Sequence, residues 1–394
     1  MRADLLTREY PPEVYGGAGV HVEYLSAALR RAGTDLRVRC FGAPRDEEGV
    51  TAYDDSSVLP GANAALRTMA VDLAIAGDCA GTQLVHSHTW YANFAGHVAS
   101  LLHGIPHVAT THSLEPDRPW KAEQLGGGYA LSSWCEKTAL ESAAAIISVS
   151  AGMREDVLRA YPALDPDRVQ VVYNGIDTEL YAPDPGTDVL ERLGISRERP
   201  YIVFVGRITR QKGLPYLLRA AERLDRDVQV VLLAGAPDTK EIAAEVETLV
   251  GELKRERSGV VWVQEMLPRP QVIQVLTHAT VFVCPSIYEP MGIVNLEAMA
   301  CETAVVATAT GGIPEVVADG ECGLLVPIAQ VADGSGTPID PAQFVSDLAG
   351  TIQGLLDDPA RAEAMGKAGR ERAVQHFSWD SIAQRTLEVY RSVL

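Results

Sequence analysis

ADLLTREYPPEVYGGAGVHVEYLSAALRR, residues 3–31, is the first place at which the chain shows how it folds. A short apolar run, ADLLT (3–7), leads through a loop with three glycines into a segment where Val22, Leu25 and Leu29 recur every three or four residues. That spacing aligns the three side chains on one face of a helix. A strand, a glycine loop and an amphipathic helix in this order form the first half of a parallel βαβ unit.

The same alternation continues along the chain. Short β-branched runs separated by amphipathic stretches predict an α/β protein with two Rossmann-like, doubly wound parallel-sheet domains. Such domains bind ligands outside the carboxyl ends of their strands, so we expect the two to face a cleft. The runs of the first domain are 3–7, 36–41, 83–88, 107–112, 144–150 and 169–173. Those of the second are 201–206, 228–235, 260–264, 281–286, 304–308 and 323–326.

The two sets of runs are separated by NGIDTELYAPDPGTD (174–188), which has two prolines, two glycines, four acidic residues and no apolar period. Such a composition is typical of a connection between domains. We therefore predict a first domain over 1–178, a linker over 179–199 and a second domain over 200–377.

Composition excludes several classes of protein. With 34 basic and 52 acidic residues among 394, the net charge is −18, whereas nucleic-acid binding depends on clustered cations. The six cysteines have no C-x-x-C spacing, and no apolar window reaches the roughly 18 residues that cross a bilayer. The amino terminus lacks the unbroken apolar stretch of a signal peptide. We expect a cytoplasmic protein with free thiols and neither a nucleic-acid nor a membrane partner.

Three segments carry residues suited to binding an anion. Gly16 and Gly17 precede a predicted helix, and glycines there let the backbone approach a phosphate. Arg207 and Lys212 follow the run 201–206, where a guanidinium and an ammonium could hold a diphosphate from two sides.

The third segment is CPSIYEPMGIVNLEAMAC (284–301), in which Glu289 and Glu297 lie eight residues apart. Between them we predict a helix N-terminus with free amides that bind an anion. Carboxylates would repel a phosphate this close unless hydroxyl groups of the ligand lay between them. The two carboxylates therefore indicate a ligand with hydroxyl groups that they can bind. The residues expected to supply the amides are Gly292, Ile293 and Val294.

His112 ends the run 107–112 and opens a long glycine-rich loop, which is a typical catalytic location. His86 and His88 also stand at a strand end, but two histidines alone do not make a metal site.

These features in this order resemble the retaining nucleotide-sugar glycosyltransferases of family 4, which have the GT-B fold. The likeness extends over essentially the whole chain. It rests on YGGAGVH (15–21), TTHS (110–113), GRITRQKG (206–213), YEPMGIVNLE (288–297), YNGID (173–177) and FSWD (377–380).

The resemblance implies a role for each matching position. The last helix, 378–394, would cross back to the first domain. Gly16, Gly17 and the amides at 292–294 would contact the donor diphosphate, and Arg207 and Lys212 would stabilise it as it leaves. Glu289 would hold hydroxyls of the donor sugar and Glu297 the ribose. His112 would bind the sugar's primary hydroxyl or line the reacting face. Such a hexosyltransferase would need no metal ion and no cofactor.

LTREYPPEVYGGAGVHVEYL (6–25) and THSLEPDRPWKAEQLGGG (111–128) resemble most closely an actinobacterial branch of the family. Its members transfer glucose from ADP-glucose to glucose 1-phosphate, making α-maltose 1-phosphate for α-glucan synthesis. A phosphorylated acceptor would need its own cations. We expect it to be bound by Tyr91, Ser113, Arg118 and Lys121.

Two alternatives stay open. One is a glycogen synthase that elongates α-1,4-glucan from ADP- or UDP-glucose, which would need exposed aromatic side chains along an acceptor groove. The other is a catalytically inactive nucleotide-binding regulator. The sequence also leaves open the donor base and the oligomeric state, for which a homodimer is the candidate; the partners we expect are a nucleotide sugar and a sugar phosphate.

Overall fold

The computed structural model describes residues 1–54, 59–118, 126–333 and 335–394. The chain divides into two compact units. Unit 1 consists of Met1–Gly175 and Trp379–Leu394, and unit 2 of Ile176–Ser378. Each has its own parallel sheet, covered by helices. Among the described residues, no helix has the length and apolarity that a membrane crossing requires.

Unit 1 is built on a seven-stranded sheet in the order β3-β2-β1-β4-β5-β6-β7, in which every pair is parallel. Its strands are β1 Arg2–Thr7, β2 Asp35–Phe41, β3 Val50–Tyr53, β4 Leu84–His88, β5 His107–Thr111, β6 Ala145–Ser148 and β7 Val169–Val171. Its first helices are α1 Gly17–Arg31, α2 Ala64–Asp78, α3 Trp90–His103, α4 Gly128–Ser142 and α5 Ala151–Ala160, followed by a short 3₁₀ helix, Pro166–Arg168.

Unit 2 has a six-stranded parallel sheet in the order β10-β9-β8-β11-β12-β13. Its strands are β8 Tyr201–Arg207, β9 Gln229–Gly235, β10 Val260–Val263, β11 Val281–Cys284, β12 Ala304–Thr308 and β13 Gly323–Val326. Its helices are α6 Asp188–Leu193, α7 Leu214–Ala221, α8 Lys240–Glu256, α9 Arg269–Thr277, α10 Ile293–Ala300, α11 Ile313–Val316, α12 Pro341–Leu356 and α13 Pro359–His376, with a 3₁₀ helix at Arg210–Lys212. The predicted fold class, two doubly wound parallel-sheet domains, is confirmed.

The strand order determines where ligands can bind. In both sheets the order reverses beside the first strand, between β1 and β4 in unit 1 and between β8 and β11 in unit 2. At such a switch point the neighbouring connections leave on opposite faces and open a crevice at the carboxyl ends of the strands. The central strands are buried on both faces, which explains their continuous apolar sequences. All six cysteines are free and buried.

The predicted linker over 179–199 is wrong as a boundary, because the structure counts these residues with unit 2 and the division falls after Gly175. Residues 188–193 form α6, whose Val189 and Leu190 are buried. The amide of Val189 donates to the side-chain oxygen of Gln274 on α9, at 2.7 Å. Tertiary contacts therefore stabilise a segment whose composition is that of a loop.

The last helix, α14 (Trp379–Val393), belongs to unit 1 although 203 residues of unit 2 precede it in the chain, from Ile176 to Ser378. Its Trp379 stacks on Tyr24 of α1, with ring centroids 5.6 Å apart. At its other end the hydroxyl of Tyr390, which is fully buried, lies 2.7 Å from Nδ1 of His86 on β4. This helix completes the core of unit 1.

We expect Tyr390→Phe to destabilise unit 1 by about 1–3 kcal/mol, because His86 Nδ1 would lose its partner inside the core. Urea unfolding followed by near-ultraviolet circular dichroism measures the change. Tyr216→Phe is the matched control, since the hydroxyl of this half-buried tyrosine makes no hydrogen bond with the described residues. Equal effects of the two substitutions would contradict the assigned bond.

Candidate active site

The loops that follow β8 and β11 in unit 2 are locked together through their backbones. The amide of Ile287 donates to the carbonyl of Gln211 at 2.9 Å. Gly213 has φ +64°, and a Cβ at this position would lie 1.9 Å from the carbonyl oxygen of Pro285. Only glycine allows this approach, so the position of the neighbouring Lys212 depends on it.

Lys212 and Glu289 form a salt bridge at the contact between these loops. Lys212 Nζ lies 2.6 Å from Glu289 Oε2, which also accepts from the hydroxyl of Ser286 at 3.1 Å. The backbone of Glu289 is held as well, since its carbonyl accepts from the amide of Gly312 at 3.0 Å. Burial by itself would lower the pKa of Lys212, but the carboxylate of Glu289 more than offsets this and the pKa is raised. Lys212 therefore carries its charge at neutral pH.

Arg207 is the last residue of β8 and lies at the same edge of the sheet. Its Nη1 donates to Asp238 Oδ1 at 2.7 Å. The two predicted cations are thus brought together, and each has a carboxylate partner. Sequence reasoning missed Asp238, although its position after a strand could have pointed to it. Asp238 follows β9, which pairs with β8 so that Gly235 lies opposite Arg207.

The predicted anion-binding helix is α10, which begins at Ile293. Gly292 is its N-cap with φ 87° and makes no side-chain cap, so the first amides are those of Ile293 and Val294. Glu297 lies on the same helix, where its Oε1 accepts from the hydroxyl of Tyr181 at 3.0 Å. Burial raises the pKa of Glu297 to about 7. No pattern in the sequence pointed to Tyr181.

In unit 1 the glycine loop is folded onto a carboxylate of the chain itself. Glu9 Oε2 accepts from the amide of Tyr15 at 3.0 Å and from that of Gly16 at 2.8 Å. A Cβ on Gly19 would lie 2.6 Å from the same oxygen. The Gly16 amide therefore already has an acceptor in this structure, and the binding of the donor diphosphate by Gly16 and Gly17 stays a prediction. Gly17 begins α1 and carries a first-turn amide.

His112 lies just after β5 in a cluster of imidazoles. Its Nε2 is 3.0 Å from Nδ1 of His88, and its ring centroid is 4.7 Å from that of His21. Burial, followed by the neighbouring histidines, holds the pKa of His112 and of His88 well below the usual value, and burial lowers that of His21 to about 4. All three rings are neutral at pH 7, and His88 orients His112.

Three neutral imidazoles could also hold a metal ion. Nitrogen atoms of His21, His88 and His112 lie within 4.8 Å of one another. Imidazole suits ions such as Zn²⁺. The absence of a metal requirement stays a prediction. His86 has no such freedom, because both its nitrogens are hydrogen-bonded, to Tyr390 and to Thr110 Oγ1 at 2.6 Å.

The residues predicted to bind an acceptor phosphate lie in unit 1. Arg118 Nη1 donates to Ser113 Oγ at 2.8 Å. Tyr91 is the second residue of α3 and is close enough to Arg118 for the guanidinium to act on its hydroxyl. Lys121 lies outside the described residues. The structure adds Arg8, which sequence reasoning missed although it directly follows β1, and which lies over the Tyr91 ring at 4.3 Å.

Comparison with known proteins defines the class. Residues 15–180 match the family model described as Glycosyltransferase Family 4, and residues 187–372 match the model described as Glycosyl transferases group 1. The chain belongs to the family 4 glycosyltransferases with the GT-B fold, and is a transferase.

One relative in sequence and two solved structures show which glycosyltransferases the chain is similar to. The chain is 58% identical over 396 aligned residues to the alpha-maltose-1-phosphate synthase of Mycolicibacterium smegmatis, and the alignment covers 100% of both chains. Its structure is similar to that of a sucrose-phosphate synthase from Thermosynechococcus elongatus, with a TM-score of 0.80 and 26% identity over 100% of this chain and 99% of the other. It also has the fold of Anabaena HepE, solved in complex with UDP-glucose, with a TM-score of 0.78 and 20% identity over 100% of both chains.

We expect Lys212→Ala to lower the turnover of glycosyl transfer about 10²- to 10³-fold, because one cation at the leaving group is lost. The rate at saturating substrate measures this. Lys254→Ala, on the exposed face of α8, is the control and should keep full activity. A Lys212→Ala protein that is folded by circular dichroism and turns over at the normal rate would contradict the assigned role.

Proposed function

We propose that the chain is a retaining α-1,4-glucosyltransferase that moves glucose from ADP-glucose to glucose 1-phosphate and so makes α-maltose 1-phosphate for α-glucan synthesis. The observation that carries the proposal is the full-length likeness to the mycobacterial synthase at 58% identity. The chemistry of the two units supports it, since unit 2 has paired cations beside a helix N-terminus and unit 1 has Arg118 bonded to Ser113, the residue after His112.

Unit 2 would hold the donor. Arg207 and Lys212 exchange their carboxylate partners for the diphosphate, whose negative charge grows as the bond to the sugar breaks. The amides of Ile293 and Val294 add fixed dipoles. Released from Lys212, Glu289 accepts hydrogen bonds from sugar hydroxyls.

In unit 1, His112 is a neutral hydrogen-bonding group because of its low pKa, and it binds the primary hydroxyl of the donor glucose. The acceptor's 4-hydroxyl attacks the anomeric carbon from the side on which the diphosphate departs, and its proton passes to a departing phosphate oxygen. The configuration is retained without a protein nucleophile. The chain's task is then to stabilise the leaving group and orient the acceptor.

The glycogen synthase alternative receives less support from the aromatic residues available for a glucan groove. Trp90 is buried, with 3% of its surface exposed, and Tyr91 is covered by Arg8. Trp120 lies outside the described residues, and Trp134, on α4, is 47% exposed. A small phosphorylated acceptor needs no such row of aromatic side chains.

Product analysis tests the proposal. The protein is incubated with ADP-glucose or UDP-glucose, each with glucose 1-phosphate or glycogen, and products are identified by mass spectrometry and NMR. We expect α-maltose 1-phosphate from the pair ADP-glucose and glucose 1-phosphate, with Lys212→Ala as the blank. Elongated glycogen without a disaccharide phosphate would favour the alternative, and no turnover with any pair would favour an inactive regulator.

Glu297 predicts a pH dependence of donor binding. With a pKa of about 7, its carboxyl is protonated below that pH and loses an acceptor for the ribose hydroxyls. The KM for the donor should therefore rise as the pH falls from 8 to 6. Glu297→Gln cannot ionise and should show a raised donor KM that is flat over this range. A flat profile for the unsubstituted protein would contradict the role of Glu297.

A further inference from the structure

Arg8 is placed unusually for a charged side chain. It follows β1 directly, is half-buried, and its guanidinium carbon lies 4.3 Å from the ring centroid of Tyr91. Within the described residues, Arg8 forms no hydrogen bond and no ion pair. A half-buried guanidinium gains from a cation–π contact, but its hydrogen-bond donors still need an acceptor.

A second guanidinium lies on the same surface of unit 1. Arg118 donates to the hydroxyl of Ser113 at 2.8 Å and has no carboxylate partner among the described residues. Burial raises the pKa of the Tyr91 hydroxyl, and Arg8 and then Arg118 oppose that rise, so both cations act on one phenol. The arrangement follows from the sheet, because β1, β4 and β5 are neighbours and these residues follow their carboxyl ends.

The acidic residues close to Tyr91 are Glu115 and Glu9. Glu115 Oε2 accepts from the hydroxyl of Ser132 at 2.6 Å. Glu9 accepts from the amides of its own glycine loop. Arg8 and Arg118 take part in no ion pair within the described residues, so their two positive charges are left for a ligand.

The start of α3 adds to the positive potential. Thr89, its N-cap, makes no side-chain cap and has φ 63°, a conformation rare for a β-branched residue. The 14-residue helix therefore begins with uncapped amides at Trp90 and Tyr91.

We infer that Arg8, together with Arg118, Ser113 and Tyr91, forms a binding site for the phosphate of a sugar phosphate, and that Arg8 decides the preference for a phosphorylated acceptor. The inference rests on the proposed function and adds Arg8 to the residues expected to bind the acceptor. A phosphate monoester supplies the anionic acceptors that two guanidinium groups lack here, and arginine binds it through two parallel hydrogen bonds. A neutral sugar or a glucan offers no such charge.

The test is a kinetic comparison of Arg8→Gln with the unsubstituted protein. We expect the KM for glucose 1-phosphate to rise about 10- to 100-fold, the range for losing hydrogen bonds to a charged group, with the KM for ADP-glucose unchanged. Arg8→Lys keeps the charge without the paired donors and should fall in between. Arg37→Gln, an exposed arginine on β2, is the control and should leave both KM values unchanged.

Calorimetry with glucose 1-phosphate gives a readout independent of turnover, and Arg8→Gln should weaken binding by the same factor. If the unsubstituted protein makes no disaccharide phosphate, the proposed function fails. If it does so and Arg8→Gln, folded by circular dichroism, keeps a normal acceptor KM and normal binding, the inference about Arg8 alone is wrong. If Arg8→Gln fails to fold, Arg8→Lys is used instead. An unchanged acceptor KM for Arg8→Lys would then overturn the inference about Arg8.

Discussion

The salt bridge between the half-buried Lys212 and the buried Glu289 is the interaction on which the proposed chemistry of unit 2 depends. Two charges removed from water are stable only when each satisfies the other, and here the pair is held by loops whose backbones are hydrogen-bonded together. In the proposed function, the same contact keeps a cation ready for an anionic leaving group. A diphosphate that replaces the carboxylate meets an ammonium group already in place, so little reorganisation accompanies the growth of charge.

The cations of the two candidate binding regions differ in whether they have a carboxylate partner. In unit 2 Arg207 and Lys212 are both neutralised by carboxylates, whereas in unit 1 Arg8 and Arg118 have no carboxylate partner among the described residues. In a chain of net charge −18 such local positive regions matter, because the overall field repels anionic ligands such as the substrates we propose. The contrast suits two ligands of different kinds, one that exchanges with internal carboxylates and one that completes an open site.

Several site residues could be predicted because they lie at or just after the carboxyl ends of strands, and parallel strands end at one edge. Arg207, Lys212 and His112 are of this kind, and the same rule applied to β1 and β9 would have found Arg8 and Asp238. The segment 179–199 was misassigned because its buried helix is stabilised by side chains of α9, about 85 residues further along the chain. The composition of the segment itself does not predict that contact.

The sequence by itself determined the two parallel sheets and the family, because apolar periodicity and short motifs are properties of neighbouring residues. Only the tertiary structure decided which charges are neutralised. The pairing of Lys212 with Glu289, the occupation of the Gly16 amide by Glu9 and the contact of Arg8 with Tyr91 depend on distances of a few ångströms between separate loops. Electrostatic energies change steeply with such distances and with burial. Neither the distance between two charges nor their burial can be read from spacing along the chain.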